Sequence, residues 1–184
     1  MLPIFEQFFE RFPYDDSLVS CDVETTGLAN TDRITEIGAA KLTFNGHTIK
    51  LEQFKTFVNP ERPIPKNITE LTGITDEMVK DAPKDVLAYG NFLAFLDGAT
   101  TIVAHNADYD NRMLVHNYKR VGLEFNFDIQ CSMKRAKQVK SIRPTSYKLT
   151  DLANLFGYQN PNAHRAYDDA FAALVLWANL SILE

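Results

Sequence analysis

Two acidic residues, Asp22 and Glu24, occupy alternate positions in the apolar stretch LVSCDVE at 18–24, which is typical of a β-strand. Successive side chains of a strand point to opposite faces, so both carboxylates should project from one face, about 7 Å apart along the chain. Two acids so placed repel each other unless a cation lies between them. The spacing is compatible with a divalent-cation site, but also with an exposed acidic pair on an edge strand.

A second acidic cluster, HNADYD at 105–110, lies where a short apolar strand ends and a helix predicted over 107–121 begins. Asp108 and Asp110 are both candidates for a site at the C-terminal edge of a sheet. Helical spacing places Asp110 on the same face as Met113, pointing inward, whereas Asp108 could simply face the helix dipole. Because an inward acid is costly without a partner, we favour Asp110 as the functional residue.

The third cluster, HRAYDDA at 164–170, opens a helix predicted over 166–183. Asp169 shares a face with small apolar residues that suit packing against a sheet, and Asp168 is rotated away by about 100°. His164 is expected in the loop before the helix, where it could swing toward a substrate. Taken alone, it would be interpreted as a solvent-exposed loop histidine.

Each cluster alone has a non-functional interpretation, but four acids and a histidine from three chain segments together favour a common site. Carboxylate oxygens are the ligands that Mg²⁺ and Mn²⁺ prefer. Two such ions about 3.5–4 Å apart can activate a water and stabilise the leaving oxygen in phosphodiester cleavage. The sequence has no Cys/His zinc spacing and no glycine-rich phosphate loop to support other chemistry.

The elements that must position these residues alternate between strands and helices. We predict an α/β fold with a mixed β-sheet flanked by helices on both faces. Asn45-Gly46 predicts a two-residue type I′ hairpin turn. The remaining predicted elements are a helix over 4–12, strands over 33–44, 47–58, 100–104 and 124–131, a loop over 59–65, helices beginning at Thr75 and Pro83, and a helix over 147–156.

The composition of the 184-residue chain is that of an ordinary globular protein, with 45% hydrophobic and 23% charged residues. The length predicts one domain, which we place at 17–184, after an N-terminal helical extension over 1–16. A formal net charge of −5 argues against a broad, non-specific nucleic-acid binder. It does not argue against an enzyme that meets phosphates through metal ions.

Two cysteines, Cys21 and Cys131, lie in apolar runs and are expected to be buried, reduced thiols of a cytoplasmic protein. The first residues carry acids and no basic region, so we do not expect a signal peptide. No apolar stretch reaches about 18 residues, so neither a membrane span nor a membrane partner is expected.

Five motifs occur in an order that resembles the DEDDh branch of the DnaQ-like 3′–5′ exonucleases: DVETTGL at 22–28, RITEIGAAKL at 33–42, LTGIT at 71–75, HNADYD at 105–110 and HRAYDDA at 164–170. The resemblance spans about residues 18–178. It implies that Asp22, Glu24, Asp110 and Asp169 are the metal ligands, that His164 is the general base, and that the sheet is ribonuclease-H-like. It also implies two Mg²⁺ or Mn²⁺ ions per active site.

The family includes the proofreading (epsilon) subunit of bacterial DNA polymerase III and ribonuclease T. The resemblance therefore implies release of nucleoside monophosphates from the 3′ end of single-stranded or frayed DNA, with a DNA polymerase as a candidate partner. An exoribonuclease of the same family is the alternative, and an inactive nucleic-acid-binding module is a third reading. All five catalytic positions are filled, which argues against the last. Thr72 stands where polymerase-associated members often have histidine.

Substrate contacts are expected around the three clusters. The candidate substrate-binding residues are Thr25, Thr26, Gly27, Leu28, His105, Asn106 and Tyr109. The threonines could hold the terminal nucleotide and Leu28 could wedge against its base, or these residues could simply build the turn. A basic run could grip backbone phosphates or could be a solvated face; it comprises Lys134, Arg135, Lys137, Lys140 and Arg143.

Overall fold

The computed structural model describes residues 2–13 and 17–183, with a five-stranded mixed sheet at its centre. The strands are β1 (Ser17–Thr25), β2 (Ile34–Phe44), β3 (Ile49–Phe57), β4 (Thr101–Ala104) and β5 (Ile129–Cys131). Their order across the sheet is β3-β2-β1-β4-β5. β2 is antiparallel to both β1 and β3, whereas β4 runs parallel to β1 and β5 parallel to β4.

Helices cover both faces of this sheet, as predicted. In the described part of the chain they are α1 (Pro3–Arg11), α2 (Lys66–Thr72), α3 (Asp76–Val79), α4 (Asp85–Leu96), α5 (Ala107–Arg120), α6 (Ser132–Gln138), α7 (Leu149–Leu155) and α8 (Ala166–Ile182). Helices α4 and α5 share one apolar core with the sheet, and α1 and α8 share another.

The alternation of side chains along β1 decides which helices they meet. Cys21 and Val23 join the core beneath α4 and α5, whereas Leu18 packs with α1 and α8. Asp22 and Glu24 are in phase with Leu18, so they project from the face that α8 covers. The first two acids and the helix that carries Asp169 therefore lie on the same side of the sheet.

Helix α8 begins directly against β2, and a glycine makes this approach possible. Gly38 is opposite Asp22 in the β1–β2 register. A Cβ at Gly38 would lie 2.1 Å from the backbone nitrogen of Tyr167 and 2.2 Å from the carbonyl carbon of Ala166. Because no side chain fits there, the glycine allows α8 to start at the level of Asp22.

The hairpin between β2 and β3 exists, but the predicted two-residue type I′ turn is wrong. Phe44 pairs with Ile49, so the connection has four residues, 45–48. The Asn45 side-chain oxygen accepts hydrogen bonds from the backbone nitrogens of His47 and Thr48, at 3.0 and 2.9 Å. These hydrogen bonds from the backbone to the Asn45 side chain stabilise the four-residue connection in place of the two-residue turn that Asn-Gly favours.

Other boundaries shift in ways that the sequence pattern does not signal. The predicted strand over 124–131 is reduced to β5, because Phe125 leaves the sheet and packs among the aromatic rings of Phe92 and Tyr118. Helices α2 and α6, each seven residues long, were not predicted. The predicted helix start at Thr75 is confirmed: Thr75 is the N-cap of α3, and its Oγ1 accepts a hydrogen bond from the Met78 nitrogen at 3.3 Å.

The predicted N-terminal helix is confirmed as α1, and it packs against α8 through phenylalanines. Phe5, Phe8 and Phe9 are buried, and the ring of Phe5 meets that of Phe171 edge to face. Residues 14–16 of the predicted extension lie outside the described part of the chain. None of the described helices is long and apolar enough to cross a lipid bilayer.

Candidate active site

Three carboxylates converge at the interface between β1 and α8. One oxygen each from Asp22, Glu24 and Asp169 can be chosen so that all three lie within 4.8 Å of one another. Asp22 and Glu24 are alternate residues of β1 on the same face of the sheet, and Asp169 lies in the first turn of α8. Three anionic ligands at this separation are suited to surrounding a small divalent cation.

The fourth acid, Asp110, arrives from α5 and is buried, with 2% of its surface exposed. Its Oδ1 accepts a hydrogen bond from the backbone nitrogen of Val23 at 3.1 Å, which attaches the start of α5 to the end of β1. Asp108 instead points to solvent and forms an ion pair with Lys134 at 2.7 Å. The inward direction that helical spacing predicts for Asp110 is confirmed.

Burial and mutual repulsion raise the pKa of all four carboxyl groups. Burial is the larger cause for Asp22, followed by the charges of Asp110 and Glu24. Burial raises the pKa of Glu24 to about 8 and that of Asp110 to about 7. The pKa of Asp169 is also raised, mainly by burial. Four acids that resist ionisation together would ionise readily around a divalent cation, so the donor set fits a metal centre.

His164 lies in the loop that leads into α8, as predicted, and its side chain is exposed. Its backbone adopts φ +66°, in the left-handed region that non-glycine residues rarely occupy. The His164 nitrogen donates to Asp169 Oδ2 at 3.2 Å, and the Asn160 amide donates to Asp169 Oδ1. The same carboxylate therefore holds both the loop and its histidine near the acids.

A fifth acid, Glu36, was missed by the sequence reasoning. It lies opposite Glu24 in the β1–β2 register, yet it is fully engaged within the protein. Its carboxylate accepts from Arg165 Nε at 3.1 Å, from Arg165 Nη2 at 2.7 Å and from the Ala166 nitrogen at 3.2 Å. This pair fastens the start of α8 to β2. In the sequence, the only signal for Glu36 was an acidic residue within the motif RITEIGAAKL, among residues that the fold buries.

The turn after β1 is held by its own side chains. Thr25 Oγ1 donates to the Gly27 carbonyl at 2.6 Å and shares a hydrogen bond with the Tyr109 hydroxyl, also 2.6 Å. Thr26 Oγ1 donates to Asp32 Oδ1 at 3.1 Å. The hydroxyls of both threonines thus build the turn. Leu28, by contrast, is 75% exposed beside the site.

His105 and Asn106 form the corner between β4 and α5. The Nδ1 atom of His105 lies 2.9 Å from Ser132 Oγ, and its Nε2 atom lies 3.0 Å from the carbonyl oxygen of Tyr147. Both ring nitrogens therefore have partners within the protein. Asn106 is exposed and left-handed, with φ +61°. The backbone of this corner aims α5, and with it Asp110, at the end of β1.

Comparison with known proteins identifies the family to which this chain belongs. The sequence matches the family described as Exonuclease over residues 19–176. The DNA polymerase III PolC-type of Caldanaerobacter subterraneus subsp. tengcongensis is 36% identical over 167 residues, which are 90% of this chain and 12% of that protein. The PolC-type polymerase of Clostridium perfringens is 36% identical over 164 residues, covering 86% of this chain and 11% of that protein. The chain therefore spans a small part of the length of these relatives.

Solved structures share the fold. Exonuclease X in complex with 5′ overhanging duplex DNA superimposes with a TM-score of 0.67 at 27% identity, covering 89% of this chain and 90% of that chain. The nuclease domain of 3′hExo, a DEDDh family member bound to rAMP, superimposes with a TM-score of 0.74 at 18% identity, covering 92% and 91%. The ribonuclease-H-like sheet that the resemblance implied is confirmed, and the chain belongs to the exonuclease family.

Proposed function

We propose that this protein is a metal-dependent 3′–5′ exonuclease that releases nucleoside monophosphates from single-stranded or frayed DNA. The observation that carries the proposal is the convergence of Asp22, Glu24 and Asp169 within 4.8 Å. Asp110 completes the set, because its hydrogen bond to the Val23 nitrogen ties it to the same strand end. A cluster of three half-buried carboxylates and one buried carboxylate suits the hydrolysis of a phosphodiester.

Asp22, Glu24, Asp110 and Asp169 would hold two Mg²⁺ or Mn²⁺ ions. Bound there, the ions would neutralise the phosphate and lower the pKa of an attacking water. The chain's own contribution is to fix the ligand oxygens on regular elements: two on β1, one at the start of α5 and one at the start of α8. Little rearrangement of the backbone would be required.

His164 is proposed as the general base. Its imidazole would accept the proton of the attacking water as the bond between phosphorus and the 3′ oxygen of the preceding nucleotide breaks. The terminal nucleotide would leave with a 5′ phosphate, and the 3′ oxygen of the shortened strand would take up a proton from solvent. The side chain is exposed and its loop is tethered to Asp169 through the backbone, which leaves the ring free to turn toward the substrate. Leu28 and the ring of Tyr109 are proposed to contact the terminal nucleotide.

DNA is the favoured substrate. Exonuclease X, the solved structure of higher identity among the two above, is in complex with 5′ overhanging duplex DNA, and the two related sequences above are DNA polymerases. The related DNA polymerase sequences also support a DNA polymerase as a partner and a role in proofreading. The rAMP bound to the 3′hExo domain keeps an exoribonuclease as the second candidate. The two cysteines are free, which fits our expectation of a reducing, cytoplasmic setting, although Cys131 is half-buried where full burial was expected.

The deciding experiment is digestion of 5′-labelled DNA and RNA oligonucleotides of the same sequence, in Mg²⁺ or Mn²⁺ and in EDTA. We expect the DNA to shorten stepwise from its 3′ end, faster than the RNA, and EDTA to stop the reaction. Internal cuts, or full activity in EDTA, would contradict the proposal. Faster digestion of the RNA would replace DNA with RNA as the substrate.

A further inference from the structure

One segment of the chain concentrates positive charge. Residues 132–150 contain no aspartate or glutamate, although the whole chain has a net charge of −5. The cations of this segment are Lys134, Arg135, Lys137, Lys140, Arg143 and Lys148. We refer to residues 134–148, which run from α6 to the start of α7, as the basic loop.

Both ends of the basic loop are attached to the corner that precedes Asp110. At its beginning, Lys134 forms an ion pair with Asp108 at 2.7 Å. At its far end, the carbonyl oxygen of Tyr147 lies 3.0 Å from His105 Nε2. Since both attachment points are at most five residues from Asp110, the basic loop lies at the edge of the acidic cluster.

Four of its cations are exposed and have no acidic partner in the part of the chain that the structure describes, although Arg143 Nη1 donates to the carbonyl oxygens of Lys140 and Ile142. Arg135 is half-buried, with its guanidinium 4.5 Å from the centre of the Trp177 ring. The exposed ones are Lys137, Lys140, Arg143 and Lys148, and within the described residues none of these has a carboxylate within 4.0 Å. Uncompensated cations on one short segment attract polyanions.

The basic loop also presents an aromatic ring. The side chain of Tyr147 is 37% exposed, and the ammonium of Lys137 lies 5.5 Å from the centre of its ring. Basic side chains interleaved with an aromatic surface are the combination by which proteins bind single-stranded nucleic acid without reading its sequence.

We propose that the basic loop binds the backbone phosphates of the nucleotides that precede the 3′-terminal residue, with a base stacked on Tyr147. This inference rests on the proposed function, because it assumes that the 3′ terminus occupies the acidic cluster. It gives His105 a defined part as a positioning residue, since its ring contacts Ser132, two residues before the basic loop, and Tyr147, near the end of the basic loop.

The test compares two triple variants of the full-length chain with the same change in charge. In the loop variant, Lys137, Lys140 and Lys148 are changed to glutamine. In the control, Lys50, Lys66 and Lys119 are changed to glutamine; all three are exposed, and Lys119 lies at the end of α5 remote from Asp110. Affinity is measured by fluorescence anisotropy in Mg²⁺, with DNA and RNA oligonucleotides of 2 to 12 nucleotides protected at the 3′ end by phosphorothioates.

We expect the wild-type affinity to rise with oligonucleotide length and the loop variant to lose most of that rise, about 10-fold at the full length. The dependence of log affinity on log salt should become shallower by about 2, since each lost phosphate contact contributes about 0.7 for single strands. The control should keep the wild-type length and salt dependence. An equal loss with DNA and RNA identifies the phosphates as the ligand, whereas a loss with one of them alone would overturn that identification.

The His105→Ala variant separates positioning from charge. It removes neither a lysine nor an arginine, yet it should weaken binding of the longer oligonucleotides several-fold, with a smaller effect on the dinucleotide. Unchanged affinity of the loop variant, or an equal loss in the control, would overturn the proposal. Hydrolysis of the p-nitrophenyl ester of thymidine 5′-phosphate by the wild type tests the catalytic assignment separately, because so small a substrate does not reach the basic loop.

Discussion

Two acids lie side by side on adjacent strands of this sheet, Glu24 on β1 and Glu36 on β2, and they differ in their hydrogen-bond partners. Glu36 has three donors and an arginine partner, whereas Glu24 faces Asp22 and Asp169 and has a pKa raised to about 8 by burial and by acidic neighbours. One acid is satisfied by the protein; the other is left for a ligand. The unsatisfied acid is the functional one, because a chain rarely keeps buried like charges together without a cation.

The largest expected effect is that of Asp22→Asn, which removes one charge from the centre of the unsatisfied cluster. We expect activity to fall to the background of the assay, since a metal centre contributes several kcal/mol of transition-state stabilisation. In EDTA the same variant should melt at a higher temperature than the wild type, because repulsion with Glu24 and Asp110 is relieved. The measurements are exonuclease rate and thermal melting.

The matched change at the satisfied acid, Glu36→Gln, should shift melting in the opposite direction. It removes the charge that Arg165 neutralises and weakens the attachment of α8. If both variants shifted the melting temperature in EDTA in the same direction, the contrast between the two acids would be wrong. Wild-type activity in a folded Asp22→Asn protein would exclude its role as a ligand.

The next effect is that of His164→Ala. Loss of a positioned general base costs about 10²–10⁴-fold in rate. Metal affinity, measured by calorimetry with Mn²⁺, should be within about twofold of the wild type, because His164 donates to Asp169 through its backbone nitrogen, which the substitution keeps. Lost metal binding would recast His164 as a ligand or a structural residue, and an unchanged rate would reject it as the base.

A smaller loss is expected for Arg165→Ala, in which Glu36 loses its partner. Turnover should fall about 10-fold, because small displacements of catalytic groups are costly, and α8 carries Asp169. Arg120→Ala is the matched control: Arg120 and Asp85 form an ion pair at 2.8 Å with similar burial, at the far end of α5. Equal turnover losses in the two variants would reduce the role of Arg165 to general stability.

The site residues also differ in how far they could be predicted from the sequence. The local helical period favours inward directions for Asp110 and Asp169, in agreement with the family resemblance, which assigned the ligand roles to them and not to Asp108 and Asp168. The partner of Glu36 lies 129 residues away, and no local pattern reports it. His105 likewise meets Ser132 and Tyr147 through folding of distant segments. The four-residue hairpin loop was missed because a side chain, Asn45, decides it.

The smallest effect is a pH dependence of the metal-free protein. Folding raises the pKa of Glu24 from 4.5 to about 8 and that of Asp110 from 3.8 to about 7. At a pH between the unfolded and the folded pKa of each group, the folded chain binds more protons than the unfolded chain. The free energy of unfolding therefore falls as the pH rises from about 4 to 8. We expect the melting temperature in EDTA to fall between pH 5 and pH 8, and Mg²⁺ to abolish most of that fall.

Variants again separate the two acids. Glu24→Gln should flatten this pH dependence, because it removes a group that ionises only at a cost. Glu36→Gln should lower the whole melting curve and flatten its slope less, because Glu36 is only one of the charges that raise the pKa of Glu24. The comparison of slopes cancels contributions from groups elsewhere in the chain, which are the same in both variants. An equally steep fall in Glu24→Gln would mean that the buried cluster does not titrate in this range, and that its acids are already neutralised by something other than a metal.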